Sequence, residues 1–233
     1  MPMKPSALIV GAGDGLSASL ARVLSREGGY RIALAARNPG KLVPLTQALE
    51  AMALACDASD PIQVDALFAQ LDQALRAPPD VVIYNPAARV RGPITEVDAQ
   101  SVAQALAVTA YGGFLVAQQA ARRMLPRGQG ALLFTGASAS VKGYAHSAAF
   151  AMGKFALRGL AQSLARELAP QGIHVARIVV DGVIRNPGRE EPGGAPDSML
   201  DPDAIARSYL QLLRQDRSAW SSELELRPWV ERF

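Results

Sequence analysis

Short apolar runs alternate along the chain with longer segments of helical period. The runs "ALIV" (Ala7–Val10), "RIALAA" (Arg31–Ala36), "ALACD" (Ala53–Asp57), "DVVIYN" (Asp80–Asn85), "GALLFTG" (Gly130–Gly136) and "HVARIVVDG" (His174–Gly182) have strand length. Between them lie "GLSASLARVLSREG", closed by Gly28, then "PGKLVPLTQALEAM", "PIQVDALFAQLDQALRA", the stretch Asp98–Leu125 and the stretch Ser147–Pro170. The early strand runs are apolar on both faces, as a parallel sheet covered by helices on both sides requires. Strand then helix, repeated without a second composition regime, predicts one doubly wound, Rossmann-type α/β domain over residues 1–233. Two segments break the rhythm. Arg185–Asp201, rich in Gly and Pro, is expected to be a mobile loop after the sixth strand. The tail "SELELRPWVERF" alternates Glu and Leu and suits a last strand with one wet face, with Trp229 and Phe233 packing on the body or on a neighbouring subunit.

Composition narrows the function. A chain of 233 residues, 49% hydrophobic and 19% charged, can bury a real core. No apolar run approaches the roughly 18 residues of a membrane helix, and "MPMKPSALIVGAG", which runs straight into a strand and a glycine turn, is not expected to act as a signal peptide. One cysteine, Cys56, allows no intrachain disulfide, as expected in a reducing cytoplasm. The net charge of +3 comes from scattered basic residues. That argues against a nucleic-acid partner and suits an anionic cofactor.

"VGAGDGLSASLA" follows the first strand and opens the first helix. Gly11, Gly13 and Gly15 let the backbone turn tightly and approach a pyrophosphate, which the next helix's amides then meet. The plainer alternative is a tight strand–helix turn with no ligand. At the end of strand two, "LAARN" puts Ala36 where an NAD site has its acid, with Arg37 next. An arginine there suits a 2′-phosphate, so NADP(H) is favoured over NAD(H); a solvated surface arginine is the alternative. Asp57 can accept from an adenine amino group or cap the next helix.

These motifs together resemble the short-chain dehydrogenase/reductase family, over nearly the whole chain. Gly11-Ala12-Gly13-Asp14-Gly15-Leu16-Ser17 is similar to its G-x-x-x-G-x-G turn, with Ser17 in place of the last glycine. Asn85-Pro86-Ala87-Ala88 resembles its N-N-A-G segment. Phe150-Ala-Met-Gly-Lys154 falls on its Y-x-x-x-K, and Asp181-Gly182-Val183-Ile184 stands at its P-G-x-x. The resemblance implies a seven-stranded parallel sheet in a three-layer sandwich, three helices on each side. It implies cofactor contacts at Gly11, Gly13, Asp14, Gly15, Leu16, Arg37, Asp57, Ala58, Asn85, Ala87, Lys154 and Val183. It also implies a homodimer or homotetramer through the helices Ser101–Leu125 and Ser147–Leu168, a small-molecule substrate, and no metal.

The same register removes the expected acid. The family's tyrosine donates a proton as hydride arrives, and here Phe150 has no hydroxyl. The family's asparagine falls on Thr109. Its serine falls on Ala137 by strict spacing, on Ser138 after a one-residue slip, with Ser140 as fallback. Lys154 then reads first as a ligand of the nicotinamide ribose, or else as a lysine snorkelling from a helix face. Substitute donors are Tyr144 first, then His146, Tyr111, Tyr84, or Lys154 itself if a dry pocket lowers its pKa. Two function classes follow: an NADP(H)-dependent oxidoreductase on a small carbonyl, alcohol or activated alkene with a non-standard proton path, or a cofactor-binding sensor or scaffold without turnover. In the first, the Arg185–Asp201 loop closes over the substrate.

Overall fold

The structure, a computed structural model, describes residues 4–191 and 195–231. Seven parallel strands form one sheet: β1 (Ser6–Val10), β2 (Arg31–Ala36), β3 (Met52–Ala55), β4 (Val81–Tyr84), β5 (Gly130–Thr135), β6 (Ile173–Val180) and β9 (Glu223–Leu226). Their order is β3-β2-β1-β4-β5-β6-β9. The short strands β7 (Val183–Ile184) and β8 (Met199–Leu200) pair separately. The helices are α1 (Leu16–Arg26), α2 (Val43–Leu49), α3 (Pro61–Leu75), α4 (Ala99–Leu106), α5 (Gly112–Met124), α6 (Ala148–Leu168) and α7 (Pro202–Leu213).

The unbroken apolar strands have the cause expected of them. Ala7 and Ile9 of β1 face a core with Leu20 and Leu24 of α1 and Tyr209 of α7. Leu8 and Val10 face the opposite core with Phe68 of α3, Val116 of α5 and Leu157 of α6. Each face therefore carries a helical layer, with α1, α2 and α7 on one and α3, α5 and α6 on the other. Asp60, Asp98 and Asp201 start α3, α4 and α7, each carboxylate accepting amides of the first turn.

Val10 lies level with Ala35 on one side and Tyr84 on the other. The chain runs outward from β1 through β2 to β3, then returns to β4 on the other flank. The carboxyl ends of β1, β2 and β4 thus open a crevice where the strand order reverses, the place where such sheets hold ligands.

Several sequence expectations change. The long helix Asp98–Leu125 is not uniform: Ala107–Tyr111 forms a π-helical segment between α4 and α5. There the Tyr84 hydroxyl donates to the Val108 carbonyl at 2.5 Å, occupying a carbonyl in the irregular turn. Asp60, not Asp57, is the N-cap of α3; Asp57 accepts from the Ser59 amide and hydroxyl instead. The Arg185–Asp201 segment is anchored at both ends, because β7 pairs with β8 and the Arg185 amide donates to the Leu200 carbonyl. Residues 192–194 of that segment, and Phe233, lie outside the described residues. Trp229 is 83% exposed, so it does not pack on the body. The last strand's wet face is not simply solvated, since Glu223 pairs with the buried Arg177 at 2.5 Å.

Candidate active site

The first glycine turn crosses close under β4. A Cβ on Gly11 would sit 2.7 Å from the Pro86 ring, and its φ of +79° is one that side chains disfavour. The Gly11 carbonyl accepts from the Ser17 hydroxyl at 3.0 Å, and that oxygen accepts from the Asn85 amide at 2.7 Å. Ser17 therefore ties the turn to the end of β4. Sequence spacing marked it only as a missing glycine.

The helix behind the turn fits an anion. The N-cap of α1 is Gly15, with no capping side chain and no acid in the first helical turn. Its orphan amides and helix dipole face a cleft of about 580 Å³ lined by Gly11, Gly13, Asp14, Gly15, Leu16 and Ser17. A Cβ on Gly13 would meet no protein atom within 4 Å, so nothing in the fold itself requires glycine there. On Gly15 it would collide with the side-chain oxygen of Asn186, a buried acceptor without a hydrogen-bond partner. Asp14 has the wrong sign for a phosphate, but it is exposed on the lip and screened by solvent. The donor set fits a dinucleotide pyrophosphate.

The cleft continues in two directions. Beyond the ends of β2 and β3, a hollow of about 360 Å³ is lined by Arg37, Asp57 and Ala58 and shares Gly11, Asn85 and Ala87 with the first. This is where a 2′-phosphate and an adenine would lie. The other direction runs past Asn85 and Ala87 to Thr135, Ala137, Phe150, Lys154, Gly182 and Val183.

Lys154 is 3% exposed and donates to the Thr135 carbonyl at 2.7 Å. Loss of hydration pushes its pKa down to about 7, with the nearby Arg89 and Arg177 guanidinium groups adding to the effect. A lysine snorkelling to solvent would keep neither this burial nor this bond. The Phe150 ring lies in the same wall, its centroid 6.0 Å from the Lys154 ammonium. Across its face stands Arg89, 4.5 Å from the centroid. Gly153 lets α6 approach the π-helical segment; a Cβ there would meet that of Thr109 at 2.9 Å. Thr109 is buried, and its hydroxyl accepts from the Ala88 amide at 3.1 Å.

The residues nominated for the missing acid do not all gather here. Ala137 lines the cleft, whereas Ser138 does not. Ser140 is buried, its hydroxyl donating to the Ala137 carbonyl and accepting from Arg177. Its one proton is thus already committed. Tyr144 is 46% exposed beside Lys142, and like His146 it is absent from the cleft wall. The Tyr84 hydroxyl is held by Val108, and burial pushes its pKa far up. Tyr111 is exposed and stacks on Phe114. Of the nominated donors, Lys154 alone lines the cleft. Sequence reading missed Arg89 and Arg177. The only available signal for Arg177 was a charge inside an otherwise apolar strand.

Residues 5–191 match the profile of the short chain dehydrogenase family. The chain belongs to that family. A short-chain dehydrogenase from Rhodopseudomonas palustris shares 35% identity, with 98% of this chain and 100% of that one covered and a TM-score of 0.83. A metagenomic short-chain oxidoreductase in complex with NADP is 25% identical, with coverage of 96% and 97% and a TM-score of 0.83. Sorbitol-6-phosphate 2-dehydrogenase of Escherichia coli is 27% identical over 218 residues, 89% of this chain and 83% of that protein. As a short chain dehydrogenase, this chain is an oxidoreductase on a Rossmann-type frame. No helix among the described residues is long and apolar enough to cross a membrane.

Proposed function

We propose that the chain is an NADP(H)-dependent oxidoreductase acting on a small carbonyl, alcohol or activated alkene, and that Lys154, not a tyrosine, handles the proton. The observation that carries this is the buried Lys154 with a pKa near 7, one helical turn after a ring that has no hydroxyl. Gly13, Asp14, Gly15 and Leu16 would cradle the pyrophosphate. Arg37 would take the 2′-phosphate, with Asp57 and Ala58 flanking the adenine. Asn85 and Ala87 would support the middle of the cofactor, and Val183 would flank the nicotinamide. The cofactor supplies or accepts hydride when bound.

Lys154 then does two jobs. Its ammonium grips the ribose hydroxyls, and its position beside Phe150 lets it give a proton to the substrate oxygen as hydride reaches carbon. A group that is half protonated near neutral pH suits acid and base work equally. The NADP bound to the 25%-identical oxidoreductase supports the cofactor reading, as does Arg37 in the hollow beyond β2. The segment Arg185–Asp201 contributes Asn186, Pro187 and Arg189 to the cleft wall, which supports its reading as the substrate loop. Two copies would associate through α5, α6 and the π-helical segment, where Tyr111, Phe114, Met152 and Phe155 stand exposed. The comparisons offer nothing in favour of the sensor or scaffold alternative.

The test is calorimetric titration of NADPH and NADH, then NADPH oxidation across a carbonyl panel by the wild type, Phe150→Tyr and Tyr144→Phe. Turnover in the wild type that survives Tyr144→Phe supports the proposal. Turnover lost with Tyr144→Phe assigns the proton to Tyr144. Tight NADPH binding without turnover in any form leaves a scaffold.

A further inference from the structure

The cleft wall beyond Phe150 carries positive charge that the protein leaves unanswered. Arg89 and Arg189 both line it, from the segment after β4 and from the loop after β7. Arg91 and Arg189 are near enough to Arg89 that, after desolvation, their like charge helps push its pKa down. Other partly or fully buried arginines are met by acids: Arg123 by Asp72, Arg127 by Asp80, Arg177 by Glu223. Among the described residues Arg89, Arg91 and Arg189 make no ion pair and no side-chain hydrogen bond. Glu191, two residues beyond Arg189, is taken by Arg185. What holds Arg89 in place is the flat face of Phe150. A guanidinium stacked on a ring keeps its edge N–H donors free, and those donors match the oxygens of a carboxylate or phosphate.

We infer that the substrate carries an anionic group, a carboxylate or a phosphate, which Arg89 and Arg189 hold at the Phe150 end of the cleft. This rests on reading the cleft as a reductase site and names its substrate class. It gives Phe150 a positive use: the ring that lacks an acid is the platform for the arginine that orients the substrate. The pyrophosphate of the cofactor belongs at the glycine turn, so the Arg89 site is separate from it.

Two matched pairs of probes test this by calorimetry, with and without NADP. One pair is para-carboxybenzaldehyde and its methyl ester; the other is dihydroxyacetone phosphate and dihydroxyacetone. The expected result is that an anionic member binds about tenfold more tightly than its neutral partner, the pair concerned separating carboxylate from phosphate. Arg89→Met and Arg189→Met should each cut that preference by about fivefold, the scale of one partly solvated ion pair. NADPH affinity should stay unchanged in both variants. Equal binding within both pairs overturns the inference. So does a preference that survives both substitutions, or a loss of NADPH affinity in its place, which would give the arginines to the cofactor. If the wild type fails to bind NADPH yet prefers an anionic probe through Arg89, the anion site stands and the reductase reading falls.

Discussion

Replacing Lys154 by Met should stabilise the cofactor-free protein at neutral pH and destabilise it at high pH. The folded state holds this amine with a pKa near 7, against 10.5 for a free lysine. At pH 7 and below, an unfolded chain is therefore more ready to hold the proton than the folded one. Each pH unit of that gap is worth about 1.4 kcal/mol, so the ceiling on the penalty is about 5 kcal/mol. The penalty is fully present below pH 7, shrinks as pH rises towards 10.5, and is gone above it. Met keeps the apolar stem and abolishes the penalty. It also strands the Thr135 carbonyl that Lys154 now satisfies, at a cost of about 1–3 kcal/mol that does not depend on pH. The variant should gain about 2 kcal/mol at pH 7 and lose about 1 kcal/mol near pH 10. Urea denaturation of both proteins at several pH values between 6 and 10 measures this directly. Two stability curves that run parallel across the range would refute the reasoning, because the amine would then be ordinary in the folded state.

The same titration should shape catalysis. A donor must hold its proton, so kcat/KM for carbonyl reduction should fall as pH rises through about 7, and a flat profile up to pH 9 would count against Lys154. Arg37→Ala should lower the NADPH-to-NADH affinity ratio by about fivefold to tenfold in calorimetry, and an unchanged ratio would remove Arg37 from the cofactor site. Gly11→Ala combines a disfavoured φ with a clash on Pro86. It should cost about 2–4 kcal/mol, seen as a fall in Tm of about 5–15 °C, and should abolish NADPH binding. Phe114→Glu with Phe155→Glu should convert an oligomer into monomers by light scattering, since both side chains are exposed on the helices read as the interface. An unchanged mass would place the interface elsewhere.

The layered sheet was legible because it follows from local rules. Runs such as "ALIV" and the "VVIY" of Val81–Tyr84 carry no charged residue on either face, and only a sheet covered on both faces buries both sides of such a strand. The glycine turn after β1 and the lysine of the long helix could be read from their types and spacing. The turn residues lie along the first cleft with Lys154, and Arg37, Asp57 and Ala58 lie along the second. A charge inside "HVARIVVDG" was visible, but its role was not, because its partners Ser140 and Glu223 come from other elements.

By itself, then, the sequence determined the main strands and helices, where the backbone must turn after the first strand, and which lysine of the long helix was the candidate ligand. Period and residue type act over a few residues and need no knowledge of the rest. Tertiary structure alone decided which side chains share the cleft. It tied Ser17 to Asn85, spent Ser140 on Arg177, kept Tyr144 off the cleft wall and set Arg89 against Phe150. Those pairings join residues far apart in the chain, and only the packing of helices onto both faces of the sheet brings them within reach of one another.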